Sequence, residues 1–407
     1  MQKQLQKNKI EFLLLIIFVF IPHILYPAEN PTLILISFDG FRWDYTERGL
    51  TPNLDLMAQN GVKASSLQPT FPSKTFPNHL SIVTGMYTEN HGIIYNDIYD
   101  PFTGRLYKTG NNAENRQGRW YLGEAIWETL QRQGIRTSSY FWPGSEIEEH
   151  ERHPIHFEQY EHNRPYEDRI RGVLQWLQLP EDERPAFITL YFHETDSYGH
   201  RFGPDSPQVN NAIALLDSML GTLITGLKKQ GQLVSTNIIV VADHGMTALS
   251  KDKVIRIDEI LPEEKYEIMG IGPMIGLRPA EERLEAVFHK LQKNENHFHV
   301  YKRADVPEWF HYSQHPFIPP LILIADMGWT MTTQPIQKLD GGNHGYDNYH
   351  IDMHGLFHAM GPAFKNGYKA GTLRNIDLYP LICQIFNVIP RQNIDGKLEN
   401  IGFILKD

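Results

Sequence analysis

The chain has 407 residues, 41% of them hydrophobic, with 26 prolines and 31 glycines. That is ample for a large core and exceeds the roughly 100–200 residues of a typical domain. A formal net charge of −10 argues against a polyanion-binding surface, which needs basic patches; any phosphate chemistry must draw on a local positive centre, such as metal ions. A single cysteine, Cys383, set against 19 histidines excludes an intramolecular disulfide, an iron–sulfur cluster and a Cys-rich zinc site.

At the N-terminus, Lys3, Lys7 and Lys9 precede the apolar run "FLLLIIFVFIPHILYP" and then "AEN". This basic, apolar, small-residue order predicts a secretory signal over residues 1–28 and a mature chain from about residue 29, exported to the periplasm or secreted. The alternative is an uncleaved anchor, but the run is short for a span and is broken by Pro22 and His23.

Short β-branched or aromatic runs then recur, each ending where Asp, His or Gly begins: "TLILISFDG" (32–40), "RTSSYFWPG" (136–144), "AFITLYFHETD" (186–196), "NIIVVADHG" (237–245) and "PLILIADMG" (320–328). Unbroken apolar strands alternating with helical segments predict a mostly parallel sheet covered by helices on both faces, an α/β fold. Of the helical segments, "GEAIWETLQRQG" stops at Gly134, and Ser206-Pro207 opens a long helix in N-cap and N1 style. In "EERLEAVFHKLQK", Leu284, Val287, Phe288 and Leu291 fall at helical spacing. That segment sits between "PMIGLRP" and "HFHVYKR", so residues at about 265–320 are expected to form a small α+β lobe inserted in one catalytic domain, 29–407. No internal repeat or low-complexity linker divides the chain.

Functional groups gather at the carboxyl ends of strands in such sheets. Asp39 ends the first run, Asp243 and His244 another, and Asp196 and His200 follow a third at a spacing that shares one helical face. His344 sits between glycines in "GGNHGYDNYH". Singly, each is more commonly a turn or N-cap residue. Together they bring carboxylates and imidazoles to one rim, a donor mix that suits zinc without thiolate. Two such sets imply two ions about 3.5–4 Å apart, the spacing that clamps a phosphoryl group. Thr75, between a lysine and an aromatic and fenced by Pro72 and Pro77, is either a turn residue or a hydroxyl held for activation by such an ion.

The fragments "SFDGFRWDY", "TPNLDLMAQNGV", "TFPSKTFPNHLSIVTGMYTENHGIIYN", "YFWPGS", "DSYGHRFGP", "ADHGM", "NHGYDN" and "FHAMGPAF" occur in order from about residue 31 to the end. In this series the chain resembles the catalytic domain of the ectonucleotide pyrophosphatase/phosphodiesterase family, within the alkaline phosphatase superfamily. The Cys-rich and nuclease-like modules of the animal members have no counterpart in the sequence. The resemblance implies an alkaline-phosphatase-like fold and two Zn2+ per chain, one held by Asp39, Thr75, Asp243 and His244, the other by Asp196, His200 and His344. It further implies Thr75 as nucleophile and Asn96 as a group binding the developing oxyanion. Phe76 and Tyr160 would stack on the two faces of a nucleobase, in nucleotide substrates such as NTPs and dinucleoside polyphosphates. No nucleic-acid duplex and no lasting membrane partner is expected. His354 and His358 lie outside the matching motif and are expected to be structural.

A sulfatase would need a Cys or Ser in a particular motif, and Cys383 sits in the apolar "LYPLICQIF". An alkaline-phosphatase-type monoesterase would use Ser and a third metal. A non-catalytic relic would lack ligands, and none is missing. The serious alternative is a phosphodiesterase of lysophospholipid or glycerophosphocholine head groups. Against it stands the stretch 142–169, most of which the lysophospholipase branch of the family lacks.

Overall fold

A computed structural model of the protein describes residues 31–110, 112–336 and 339–406; the expected signal segment, 1–28, lies outside the described residues. Its principal strands are Thr32–Phe38 (β1), Gly61–Gln68 (β2), Thr137–Tyr140 (β3), His156–Glu158 (β4), Phe187–Phe192 (β5), Thr236–Val241 (β6), Tyr266–Met269 (β7), Met274–Pro279 (β8), Phe298–Lys302 (β9), Leu321–Ala325 (β10), Phe357–Met360 (β11) and Tyr368–Arg374 (β12). The longer helices are Pro52–Asn60 (α1), Thr75–Thr84 (α2), Ile126–Arg132 (α3), Tyr166–Trp176 (α4), Glu194–Phe202 (α5), Pro207–Lys229 (α6), Leu284–Lys293 (α7) and Leu378–Ile385 (α8).

Eight strands form the main sheet in the order β12-β2-β11-β6-β1-β5-β3-β4. All run parallel except β11, which is antiparallel to both its neighbours. At the centre, β1 pairs in parallel with β5 (Ser37 opposite Tyr191) and with β6 (Ser37 opposite Val241), so Asp39, His193 and Asp243 leave the sheet on one edge. The alternation along β1 shows why its sequence is apolar throughout. Leu33 and Leu35 pack with α2, α3 and α8 on one face, while Ile34, Ile36 and Phe38 pack with α1, α4 and α6 on the other. Helices cover both faces, so neither side of the strand can be polar.

The long helix α6 starts as its sequence dictates. The Ser206 hydroxyl accepts from the Val209 amide at 3.2 Å, Pro207 occupies the first turn, and Lys228 and Lys229 end it near the negative pole of its dipole. Its buried Val209, Ile213, Leu216, Leu220 and Leu223 repeat every three or four residues, the stripe that faces the sheet.

A second, four-stranded antiparallel sheet, ordered β7-β8-β10-β9, spans 266–325 with α7 packed on it. The run "PLILIADMG", read as a strand of the parallel sheet, belongs here: β10 pairs antiparallel with both β8 and β9. Its apolar run has the same physical origin as that of β1. Leu321, Leu323 and Ala325 face the cluster under α7, and Ile322 and Ile324 face the main core. Burial on both sides, not parallel pairing, removes the alternation. Among the described residues no helix is long and apolar enough to cross a membrane.

Candidate active site

The sharp turns after the strands concentrate three carboxylates. Gly40 follows Asp39 with φ 65°, and a Cβ there would lie 2.9 Å from the Asp196 backbone, so only glycine lets the β1 and β5 exits approach so closely. The Gly40 amide donates to Asp243 Oδ1 at 3.2 Å, and the Tyr191 hydroxyl donates to Asp39 Oδ2 at 2.6 Å. Asp39 and Asp243 thus each have one oxygen engaged by protein. The other oxygens, Asp39 Oδ1 and Asp243 Oδ2, are buried without a hydrogen-bond partner, as is Asp196 Oδ1.

These atoms meet imidazoles in two groups. His244 Nε2 lies 3.3 Å from Asp39 Oδ1 and 3.1 Å from Asp243 Oδ2. His200 Nε2 lies 3.2 Å from Asp196 Oδ1 and 3.1 Å from His344 Nε2. The groups adjoin, since the His244 and His344 rings stack at 3.5 Å between centroids. In all three histidines Nδ1 faces a backbone carbonyl: Gly342 for His200 at 2.9 Å, Gly245 for His244 at 2.8 Å and Ser73 for His344 at 2.7 Å. A carbonyl only accepts, so the neutral rings carry their proton on Nδ1 and turn the Nε2 lone pairs inward. Unpartnered carboxylate oxygens and imidazole lone pairs converging at about 3 Å repel one another unless cations lie between them. The donor set of Asp39, Asp243 and His244, and that of Asp196, His200 and His344, therefore fit a pair of divalent ions.

The electrostatics point the same way. Burial, then the charges of Asp243 and Asp196, pushes the Asp39 carboxyl well above the usual range. Burial also opposes ionisation of Asp243 and Asp196, but His244 and His79 hold the first down, and His200 holds the second down. His344 is driven well below the ordinary imidazole range, by burial first and then by the adjacent His244, Lys74 and His200, which keeps its ring neutral. Burial lowers the Lys74 ammonium to about 8.

Thr75 is the first residue of α2. Lys74 before it is extended, and the helix ends at Gly85 with φ 67°, a left-handed cap. Its hydroxyl lies 3.2 Å from His244 Nε2, against the Asp39/Asp243/His244 group. Asn96 Oδ1 accepts from the Phe76 amide at 3.1 Å, placing the Asn96 amide beside the same helix start. Thr75, Phe76, Tyr160, Trp142 and Tyr191 line one cleft of about 210 Å³. That is below the roughly 300–1,000 Å³ of a whole small-molecule site, so the cleft takes one part of a ligand. Phe76 makes a T-shaped contact with Tyr107 at 6.3 Å between centroids; Tyr160, 46% exposed, makes T-shaped contacts with Phe141 at 5.2 Å and Tyr191 at 6.1 Å. His354 has both nitrogens engaged, by Ser66 Oγ at 2.9 Å and the Asn348 carbonyl at 3.1 Å. His358 lies buried on β11.

Sequence reasoning missed Tyr191, Ser73, His79 and Lys74. Only His79 left a trace: four residues after Thr75 on α2, it takes the Thr75 carbonyl at 2.9 Å and lies 3.4 Å from Asp243.

Fold and site together define a class: an alkaline-phosphatase-like α/β protein carrying a helix-start hydroxyl beside paired carboxylate–imidazole groups. The type I phosphodiesterase/nucleotide pyrophosphatase family matches residues 33–347, and the chain belongs to that family. It is 35% identical over 377 residues to the human ectonucleotide pyrophosphatase/phosphodiesterase family member 5, covering 93% of this chain and 78% of that protein. To the human bis(5'-adenosyl)-triphosphatase it is 37% identical over 366 residues, 89% of this chain and 80% of that protein. The structure of an inactive threonine-to-alanine variant of the murine family member 5, in complex with AMP, superimposes with a TM-score of 0.88 at 33% identity, covering 93% of this chain and 100% of that one.

Proposed function

We propose that the protein is a two-zinc nucleotide pyrophosphatase/phosphodiesterase that releases nucleoside 5'-monophosphates through a covalent intermediate on Thr75. The observation that carries this reading is the Thr75 hydroxyl, 3.2 Å from His244 Nε2, at the edge of a group whose buried carboxylate oxygens lack protein partners. Zinc held by Asp39, Asp243, His244 and Thr75, and by Asp196, His200 and His344, would supply the Lewis acidity that activates a hydroxyl and offsets phosphoryl charge. Thr75, fixed at the start of α2, attacks phosphorus in line. The Asn96 amide donates to the phosphoryl oxygen as its charge develops. Phe76 and Tyr160 hold the base in the cleft, so that the nucleoside side is retained while the other side departs. Water then cleaves the Thr75 adduct.

The bound AMP and the triphosphatase name belong to relatives, and they support nucleotides as substrates here. The inactivity of the murine threonine-to-alanine variant supports a threonine nucleophile. The head-group reading is disfavoured by the stretch 142–169. Trp142 and Ile147 are buried, and Arg152 donates to the carbonyls of Gly118, Tyr121 and Gly123 at 3.1, 3.0 and 2.8 Å, so this segment fills space that an acyl chain would need.

Thr75→Ala is expected to lose turnover of ATP by several orders of magnitude while retaining zinc. Rapid acid quench of the parent enzyme with ATP should leave a nucleotidyl adduct on the Thr75 peptide. Near-normal turnover of the variant would refute the assignment. Export is proposed with it, and N-terminal sequencing of the native active protein should find a start between about residues 26 and 30, as the small-residue exit of a signal requires; Met1 would refute export with cleavage.

A further inference from the structure

Lys74 is a buried cation for which the mechanism above has no use. It is 8% exposed. Its ammonium makes a single long hydrogen bond, 3.4 Å to Asn343 Oδ1, and lies 5.9 Å from the Tyr95 ring. Among the described residues no carboxylate forms an ion pair with it. A buried ammonium without an anionic partner is costly, yet the fold holds this one in place: Gly345 has φ 109°, and a Cβ there would collide with Lys74 Cε.

The location gives the cation a purpose. Thr75 touches the Asp39/Asp243/His244 group through His244, so the attacking oxygen enters there. In an in-line displacement the departing oxygen leaves on the far side of phosphorus, toward Asp196, His200 and His344. Lys74 lies on that side: the Asn343 Oδ1 that it reaches at 3.4 Å also accepts from the His344 amide at 2.9 Å. The aromatic cleft is lined by Thr75 and Phe76 but not by Lys74.

We infer that Lys74 is the binding residue for an anionic leaving group, the phosphate or pyrophosphate released as the nucleoside monophosphate is retained. This rests on the nucleotide reading above. The substrate's departing phosphate supplies the counter-charge the protein withholds, and the compact lysine ammonium pairs with it as a point charge. The site thus distinguishes phosphoanhydrides from diesters whose leaving group is uncharged beyond the bridging oxygen.

The test compares ATP with the p-nitrophenyl ester of thymidine 5'-monophosphate in the zinc-loaded parent, in Lys74→Met and in Asn343→Asp. The second variant places a carboxylate against the ammonium and carries the test if Lys74→Met does not fold. For each variant, kcat/KM on ATP should fall roughly ten- to hundredfold further than on the aryl ester, the size of a hydrogen bond to a charged group. Competitive inhibition by pyrophosphate, assayed on the aryl ester, should weaken by a similar factor. Equal losses on both substrates, or unchanged pyrophosphate inhibition, would overturn the inference while leaving the nucleotide reading intact. A parent enzyme that hydrolyses neither substrate overturns both.

Discussion

Replacing Tyr191 by phenylalanine removes the hydroxyl that donates 2.6 Å to Asp39 Oδ2 and leaves the ring packing in place. Asp39 is buried, and its carboxyl already lies well above the usual range through burial and the neighbouring Asp243 and Asp196 charges, with the Tyr191 bond pulling against them. Without that bond Asp39 is a poorer anion and its second oxygen has no donor. A hydrogen bond to a charged group is worth about 1.5–3 kcal/mol. Loss of a partner that orients a metal ligand costs about 10–100-fold in metal affinity, or about 1.4–2.7 kcal/mol, so two independent routes give the same size. The effect should fall on one zinc equivalent, because Tyr191 donates to Asp39 and not to Asp196, His200 or His344. Zinc titration of the metal-free protein against a competing chelator measures both equivalents. Tyr45→Phe serves as the control: that hydroxyl is also buried, but it has no hydrogen-bond partner and lies outside both groups, so zinc affinity should be unchanged. If Tyr191→Phe binds both zincs as the parent does, or weakens both equally, the assignment of Asp39 to a distinct metal group is wrong.

Two further outcomes follow from the geometry. The double variant Phe76→Ala, Tyr160→Ala should lose efficiency on ATP far more than on a small base-free diester, because stacking is worth about 1–3 kcal/mol per base; equal losses would return these rings to a packing role. His358 is buried with both ring nitrogens unpartnered, and burial followed by the Lys63 charge lowers it to about 3. The unfolded chain takes up that proton first as the pH falls below about 6.5, so the stability is complete above that value and is lost toward pH 3 at about 1.4 kcal/mol per pH unit. His358→Gln should flatten the fall in melting temperature between pH 7 and 4, and parallel melting curves for parent and variant would contradict it.

Local chemistry makes several features of this protein readable in one dimension. A strand buried on both faces must be apolar throughout, and the polar residue that stops it marks the sheet edge, so Asp39, Asp243 and the "HETD" ending stand out. Ser206-Pro207 and the spacing of Val209, Ile213 and Leu216 define α6 without reference to anything else in the chain. Tertiary structure decided what depends on partners distant in sequence. An apolar run reports burial and not direction, so Leu321–Ala325 looks like a parallel strand yet pairs antiparallel. Tyr191 is an ordinary strand residue until the parallel register with β1 brings its hydroxyl to Asp39. Lys74 is only the lysine before Thr75 until the glycine-bordered segment around His344 closes over it. In each case the role is set by a partner outside the local sequence, more than 100 residues away for Tyr191 and Lys74, and only the folded chain brings the two together.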